Sequence, residues 1–392
     1  MVFSEEQEEL RGTVRRFCES RSPSPEVRRL MATDDGYSPE VWELMASQLG
    51  LQGLAIPERF GGAGFSRVEQ AIVLEEMGRV LLCAPYLASV IAVNALLESG
   101  DEDACAAFLP SIASGARIVT LALAEDSGRW EEDAVSLNAE RSGQGGRPAG
   151  GRVDPGRGPG GILPPNDGGW VLDGHKSFVL EGGIANLVLV AGRTWSGISL
   201  FAVEGEAEGL SRTSLPTLDQ TRKLARLEFS RTPARLVGTE GEAWPGLARA
   251  LDLAAIALAA EQVGGAQRCL DMSVEYAKVR YQFGRPIGSF QAIKHRCADI
   301  LLQVESARSA AQYAAWAASE GSPEVPVVAS LAKAICSEAY FYAAAENIQV
   351  HGGIGFTWEH DAHLYFKRAK SSQLFLGDAA HHREHLAQRI GV

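Results

Sequence analysis

The chain has 392 residues, 46% of them hydrophobic and 22% charged, which indicates a soluble globular protein of two or three domains. Its net charge of −12 argues against nucleic acid or an anionic membrane surface as the main partner. The N-terminal stretch is polar and acidic, which predicts no signal peptide, and no apolar run approaches the roughly 20 residues of a membrane span. The 6 cysteines are scattered without metal or redox spacing, so we expect reduced thiols and a cytoplasmic protein.

Residues 1–116 are predicted to form an N-terminal helical domain. Ser4 is expected to cap the first helix, and Gln7 is placed to close a capping box. The pair Ser38-Pro39 predicts the start of another helix, because proline fits the first turn. A segment rich in glycine, running from Leu54 to Gly64, predicts a loop before the helices resume.

Residues 117–235 predict a middle β-domain, because short apolar runs and partial alternation replace the helical period. Asp173-Gly174 lies between two apolar runs and is typical of a hairpin turn. Residues 141–169 are rich in Gly, Pro and Arg, and we expect them to form a mobile surface insertion. A role in cradling phosphate is the less favoured interpretation of that composition.

Residues 236–392 predict a C-terminal four-helix bundle. Its four long segments are joined by short links, which is typical of antiparallel neighbours; they are approximately 244–280, 289–319, 325–351 and 357–390. The order helices, strands, helices therefore predicts an α+β protein, and few common enzyme folds segregate their elements in this way.

The first of two motifs in the C-terminal region is Arg-Tyr-Gln-Phe-Gly-Arg-Pro-Ile-Gly-Ser-Phe-Gln at 280–291. Arg280 supplies a permanent, donor-rich cation that suits a phosphate, Phe283 supplies an aromatic ring and Gln291 an amide. Taken alone, Arg280 is more simply a surface arginine near a helix C-terminus, where a cation is favourable.

The second motif is Gln-Val-His-Gly-Gly-Ile-Gly-Phe at 349–356. Gln349 adds an amide, and Gly352-Gly353 lets a ligand approach bare backbone. His351, at a glycine-rich helix end, is expected to be a hydrogen-bonded structural histidine. The joint presence of both motifs predicts a site for a large anionic cofactor. Neither glycine cluster matches the Gly-x-Gly-x-x-Gly run of a dinucleotide fold.

These features resemble the acyl-CoA dehydrogenase family over essentially the whole chain. The resemblance rests on the order of the regions, on the two motifs, and on Ile56-Pro57-Glu58-x-Phe60-Gly61-Gly62-x-Gly64 near the N-terminus. In this family FAD binds between subunits, and the two motifs reach the ADP and pyrophosphate half of a neighbour's FAD. The resemblance therefore implies a set of cofactor-binding residues: Arg280, Phe283, Gln291, Gln349, Val350, His351, Gly352 and Gly353.

The reaction that the resemblance implies is α,β-dehydrogenation of an acyl-CoA thioester. A carboxylate removes the α-proton while the β-hydrogen leaves as hydride to the flavin. In most members the carboxylate belongs to a glutamate near the C-terminus, and Leu376 stands at that position here. A minority place the glutamate on the helix before the arginine motif, where Ala254 stands. The resemblance thus implies that no catalytic residue lies in this chain.

The middle region departs from the family pattern as well. Ala124 replaces the threonine of a stretch that contacts flavin and thioester, and Phe178-Val179-Leu180 lacks the family's hydroxyl and amide donors. Residues that would serve this chain's own flavin are missing, while those that reach a neighbour's FAD are kept. The chain resembles partner subunits of the α2β2 acyl-CoA dehydrogenases of actinobacterial steroid side-chain β-oxidation. This implies a paralogous catalytic subunit in a heterotetramer, a bulky or steroid acyl-CoA substrate, and an electron-transfer flavoprotein as oxidant.

Two alternatives keep the FAD fold but change the role. One is a homo-oligomeric dehydrogenase with a displaced base such as Asp378, or Glu261 further along the helix that carries Ala254. Asp378 is better explained as a helix N-cap, with His381 and His382 entering the helix behind it. The other alternative is an inactive FAD-binding or scaffold protein, on which no partner would depend.

A metal enzyme is the alternative from a different class. Histidines cluster near the C-terminus, at His360, His363, His381, His382 and His385, and the spacing of His381 and His385 places them on one helix face. No His-Glu-x-x-His run and no matching carboxylate accompanies them. The sequence therefore favours a solvated polar face, and it predicts no metal site.

Overall fold

The computed structural model describes residues 3–142 and 169–392. Nearly all of the predicted insertion 141–169 lies outside the described residues. The N-terminal part is helical, as predicted; its helices are α1 (Glu5–Arg21), α2 (Ser24–Met31), α3 (Pro39–Ser47), α4 (Arg67–Arg79), α5 (Tyr86–Glu98) and α6 (Glu102–Ala113).

The predicted helix starts in this part are confirmed. Ser4 caps α1, with its hydroxyl 3.2 Å from the backbone nitrogen of Gln7, and the Gln7 side chain accepts from the Ser4 backbone at 3.0 Å. Ser38 caps α3 with Pro39 in the first turn. Each cap satisfies backbone N–H groups that have no partner inside the helix.

The middle part is one sheet, whose strands are β1 (Val119–Ala122), β2 (Asn138–Arg141), β3 (Trp170–Leu180), β4 (Leu187–Thr194), β5 (Gly197–Glu204), β6 (Leu210–Leu215) and β7 (Leu224–Val237). Neighbours pair in the order β1-β4-β2-β3-β7-β5, β6 adds to β7, and β4 also pairs with β5. Apolar side chains that include Leu172, Val190 and Phe201 are buried together inside it.

The hairpin predicted at Asp173-Gly174 is wrong. β3 continues through this dipeptide and pairs with β7 on both sides of it. The register shifts between Leu172 and Gly174, and Gly174 adopts a φ of 134° that favours glycine. A hairpin dipeptide thus forms an irregularity within a long strand, because pairing with β7 outweighs the local turn preference.

The C-terminal part is helical and consists of α7 (Trp244–Val279), α8 (Gln291–Ser319), α9 (Val325–His351), α10 (Ala362–Leu374) and α11 (Ala379–Arg389), with short strands β8 (Tyr281–Gln282) and β9 (Arg285–Pro286). Three predicted segments correspond to α7, α8 and α9. The fourth, 357–390, is two helices, because Leu376 and Gly377 adopt φ values of 64° and 94° that stop α10. The predicted fold class is confirmed.

Helix α7 lies at the centre of the packing between the helical parts. A Cβ on Gly264 would lie 1.8 Å from the backbone oxygen of Glu75 in α4, and a Cβ on Gly265 would lie 2.4 Å from the Tyr340 ring in α9. Small residues therefore let three helices approach closely. No helix in the described ranges is long and apolar enough to cross a membrane.

Candidate cofactor face and the predicted glutamate positions

The first motif begins where α7 ends. The backbone N–H of Arg280 donates to the Tyr276 carbonyl at 2.9 Å, and the chain then turns through the β8–β9 ribbon. Phe283 sits in that turn with a φ of 54°, and its side chain is 91% exposed. A positive φ at a bulky residue and an exposed aromatic ring both lower the stability of the chain on its own. Their presence at Phe283 indicates that this ring contacts a ligand or a partner outside the chain.

Arg280 and Gln291 are exposed with the same ribbon. In the part of the chain that the structure describes, no carboxylate or hydrogen-bond acceptor engages the Arg280 guanidinium. A guanidinium that keeps its donors free at a helix end is suited to a phosphate from outside the chain.

The second motif lies at the end of α9 and offers backbone more than side chains. Gln349 is exposed, whereas the side chains of Val350 and His351 are buried. Gly352 has a φ of 63°, and a Cβ added at Gly352 or Gly353 would meet nothing within 4 Å. The open backbone fits a cofactor that approaches closely, while Val350 and His351 support the motif from within the core.

His351 joins the two motifs. Its Nδ1 lies 2.8 Å from the Asn347 carbonyl, which confirms the predicted structural role. Its ring stacks on Tyr276 with centroids 4.3 Å apart, and on its other side lies His360 at 4.2 Å. Because Tyr276 lies one turn before Arg280, this stack holds the ends of α7 and α9 side by side. We call the exposed surface formed by Arg280, Phe283, Gln291, Gln349, Gly352 and Gly353 the cofactor face.

The two positions that the sequence resemblance assigns to the family's glutamate are buried and apolar. Leu376 is 4% exposed and Ala254 is 0% exposed, and both belong to the main hydrophobic core. Glu261, on the same helix as Ala254, is buried and pairs with Arg368 at 2.8 Å and with Arg222. Two guanidinium groups therefore hold Glu261 in a buried ionic network.

Lys333, on α9, holds the loop that carries Leu376 in place through hydrogen bonds. This fully buried ammonium donates to the carbonyls of Ser372 at 3.1 Å, Gln373 at 3.2 Å and Gly377 at 3.0 Å. His382 Nε2 lies 2.9 Å from the Leu376 carbonyl. The carbonyl groups left at the end of α10 thus find donors inside the protein. Sequence reasoning missed Lys333, and its place as a lone cation among apolar residues of α9 was the available signal.

The middle region uses its polar residues for structure. Glu125 accepts from the backbone of Ser136 at 2.8 Å and of Leu137 at 2.9 Å, and from Lys176 Nζ at 2.8 Å. Although burial opposes its charge, the hydrogen bonds from Lys176 and Ser136 lower the pKa of Glu125 to about 2. This carboxylate therefore anchors the segment after β1 to β3.

A small cavity lies beside Leu180, the last residue of the stretch that resembles the family's flavin-contacting segment. Its volume is about 20 Å³, and Tyr86, Glu181 and Arg368 are among its lining residues. The Tyr86 hydroxyl and one Glu181 oxygen are buried there without a protein partner, and burial raises the pKa of Glu181 to about 7. Such a cavity has room for about one water, far less than the roughly 300 Å³ of a small-molecule site.

Asp378 caps α11, as the sequence predicts. Its Oδ1 accepts from the backbone N–H of His381 at 2.9 Å, and this hydrogen bond lowers the pKa of the carboxyl below its ordinary 3.8.

Asp378→Ala is therefore expected to cost about 0.5–2 kcal/mol of stability, measured by urea unfolding, without changing the turnover of an assembled complex. The cost is present above pH 3.8 and fades as the pH falls through the lowered pKa. A collapse in turnover would instead make Asp378 a base.

Three comparisons relate the chain to known proteins. The model of the acyl-CoA dehydrogenase N-terminal domain matches residues 4–116, and that of the C-terminal domain matches residues 243–391. The acyl-CoA dehydrogenase IpdE2 of Mycobacterium tuberculosis is 37% identical over 379 residues, which are 96% of this chain and 94% of the relative.

Solved structures are similar over nearly the whole length. The Tcur3481-Tcur3483 steroid ACAD is 30% identical with a TM-score of 0.84, over 99% of this chain and 98% of the other. The ChsE4-ChsE5 complex from Mycobacterium tuberculosis is 28% identical with a TM-score of 0.85, over 100% of this chain and 98% of the other.

Proposed function

Since this chain belongs to the acyl-CoA dehydrogenase family, we propose that it is the non-catalytic subunit of a heteromeric, FAD-dependent member. It completes the FAD site of a paralogous catalytic subunit and has no working site of its own. The observation that carries the proposal is a contrast. The cofactor face is exposed, and Arg280 meets no acceptor among the described residues, whereas the predicted glutamate positions, Leu376 and Ala254, are buried in the core.

The cofactor face provides what the diphosphate half of FAD requires. Arg280 offers a fixed positive charge with several donors, and Gln291 and Gln349 offer amides. Gly352 and Gly353 offer backbone without a covering side chain. FAD, when bound, supplies the acceptor for the hydride of the substrate. This chain's residues contribute binding and orientation, and the proton-abstracting base belongs to the partner.

The lack of substrate space beside Leu180 supports the same assignment. The cavity there, about 20 Å³, is closed by polar residues such as Glu181 and Arg368. An acyl chain entering this subunit would have to displace a buried ionic network. The substrate therefore binds in the catalytic partner.

The proposed substrate is a bulky acyl-CoA, with a steroid-derived acyl group as the first candidate. The identity of 30% to a steroid ACAD supports this class. The similarity to ChsE4-ChsE5, a complex of two components, supports a paralogous partner and a heterotetramer.

An electron-transfer flavoprotein is proposed as the oxidant of the reduced flavin, and the cytoplasm as the location of the complex. We further propose residues 1–116, 117–235 and 236–392 as the domains.

The test is the flavin absorbance of the chain purified alone and after co-expression with a paralogous catalytic subunit. We expect a colourless protein alone, and a yellow complex with about one FAD per pair that an acyl-CoA bleaches. Flavin and turnover must both depend on this chain, which the scaffold alternative does not predict.

A matched control asks whether the missing base alone silences the chain. Leu376→Glu, expressed without a partner, is expected to remain inactive, because the chain alone is expected to hold no flavin and the space beside Leu180 is too small for an acyl chain. A yellow homo-oligomer of the unmodified chain that bleaches with acyl-CoA would overturn the proposal and favour the displaced-base alternative.

A further inference from the structure

The structure brings a carboxylate to the histidine pair of the last helix. His381 and His385 lie one turn apart on α11, with ring centroids separated by 4.1 Å. Glu131, from the segment after β1, places its Oε1 3.5 Å from Nδ1 of His381. One nitrogen of each ring and one carboxylate oxygen all lie within 4.8 Å of one another.

Packing between distant parts of the chain fixes this meeting point. Trp130, next to Glu131, packs edge-on against Phe375 with ring centroids 5.2 Å apart. Phe375 ends α10, and the cap at Asp378 sets where α11 begins. The sequence alone does not indicate that Glu131 meets the histidines, because Glu131 is distant from them along the chain.

The cluster has the chemistry of a site for a borderline divalent cation. Neutral imidazole and carboxylate are ordinary zinc ligands, and four-coordinate zinc with bonds of about 2.0–2.1 Å keeps its ligand atoms about 3.3 Å apart. The pair Glu131 and His381 is already near that spacing at 3.5 Å. All three side chains are partly exposed, so the His385 ring is able to rotate. A movement of its ligand nitrogen by roughly 1–1.5 Å brings all three ligand atoms to the zinc spacing.

A supporting contact orients the carboxylate. The Nε of Arg129 lies 3.2 Å from Oε2 of Glu131, so this oxygen faces a cation while Oε1 faces the histidines. Arg129 is held in turn by Asp133 at 2.8 Å. Partners of this kind aim a ligand at a metal ion.

We propose that Glu131, His381 and His385 bind one divalent metal ion, zinc in the first place, with solvent at the remaining position. The ion links the segment after β1 to α11, across the loop that carries Leu376. Its role is structural, since it joins two parts of the fold that are distant along the chain. The site does not depend on FAD or on the partner subunit.

The test is zinc binding by the full-length chain without an affinity tag, stripped with a chelator and then titrated against a chromophoric chelator. We expect about one zinc per chain with micromolar or tighter affinity, and a higher midpoint of thermal unfolding when zinc is present. His385→Ala and Glu131→Gln are each expected to weaken binding by more than about tenfold. His363→Ala, a half-buried histidine outside the cluster, is the matched control and is expected to bind as the unmodified chain does.

Circular dichroism of the zinc-free variants separates loss of a ligand from loss of the fold. Glu131→Gln keeps the shape of the side chain, so its zinc affinity tests the site even if His385→Ala does not fold. Absence of micromolar binding, or binding that survives both substitutions, would overturn the site. Because this readout needs neither flavin nor turnover, its failure leaves the proposed function untouched.

Discussion

Arg280→Ala is expected to remove most of the FAD from the assembled complex. Arg280 follows the last residue of α7, one turn beyond the Tyr276–His351 stack, and no acceptor within residues 3–142 and 169–392 engages its guanidinium. Losing a hydrogen bond to a charged group costs about 1.5–3 kcal/mol, which corresponds to an affinity about 10- to 100-fold weaker. Flavin absorbance per complex after gel filtration measures the loss, and added FAD should partly restore turnover.

Two further variants separate geometry from charge. Arg280→Lys keeps the charge but loses the planar fork of donors, so we expect an intermediate loss of flavin. Lys278→Ala removes an exposed cation from the last turn of the same helix and is expected to leave flavin content unchanged. Full flavin content in Arg280→Ala would remove Arg280 from the cofactor face and weaken the proposed function.

The parts of the fold that the sequence predicts correctly are those that depend on residues close together in the chain. The capping of α1 by Ser4 and of α11 by Asp378 depends on residues three positions apart, so the sequence carries the whole signal. Asp173-Gly174 failed as a hairpin because β7, far along the chain, supplies pairing on both sides of it. The break at Leu376 was missed because a leucine rarely adopts a positive φ, and Lys333 supports that loop from α9.

The candidate site divides in the same way. Arg280, Phe283 and Gly352-Gly353 were identifiable because their spacing is a motif and their residue types have a direct use. The contact between Glu131 and His381 was not identifiable from the sequence, because it depends on how the sheet packs against the last helix. Nor could the sequence show that Val350 and His351 point into the core while their glycine neighbours stay open.

The buried ionic network was equally invisible to sequence reasoning. Arg368, on α10, is 3% exposed and donates to Asp219 at 2.7 Å, to Glu261 at 2.8 Å and to the Thr221 carbonyl at 3.0 Å. Arg222 also binds Glu261 and donates to Ser372 at 3.2 Å. The network thereby connects the segment before β7 to α7 and α10. Although burial opposes the charge, the Asp219 and Glu261 carboxylates raise the pKa of Arg368.

Arg368→Ala is expected to destabilise the chain by about 3–5 kcal/mol, because it leaves buried carboxylates without their main partner. Such a loss is a large fraction of the total stability of a typical domain. Urea unfolding followed by circular dichroism measures it, and the first transition is expected to involve separation of the sheet from α7 and α10. Arg368→Lys keeps a charge but cannot reach Asp219, Glu261 and Thr221 together, so we expect an intermediate cost.

The matched control for Arg368 is Arg383→Ala on the neighbouring helix α11. Arg383 also pairs with a glutamate, Glu338, but both side chains are about half exposed, at 55% and 47%. Exposed pairs contribute about 0–1 kcal/mol, because water and salt screen them. If both substitutions cost the same, the buried network does not hold the sheet to the helices, and the closed space beside Leu180 would have to be explained by apolar packing alone. If only Arg368→Ala is costly, the buried network holds the sheet to the helices, and the side chains that stabilise the fold are the same ones that line the small cavity beside Leu180.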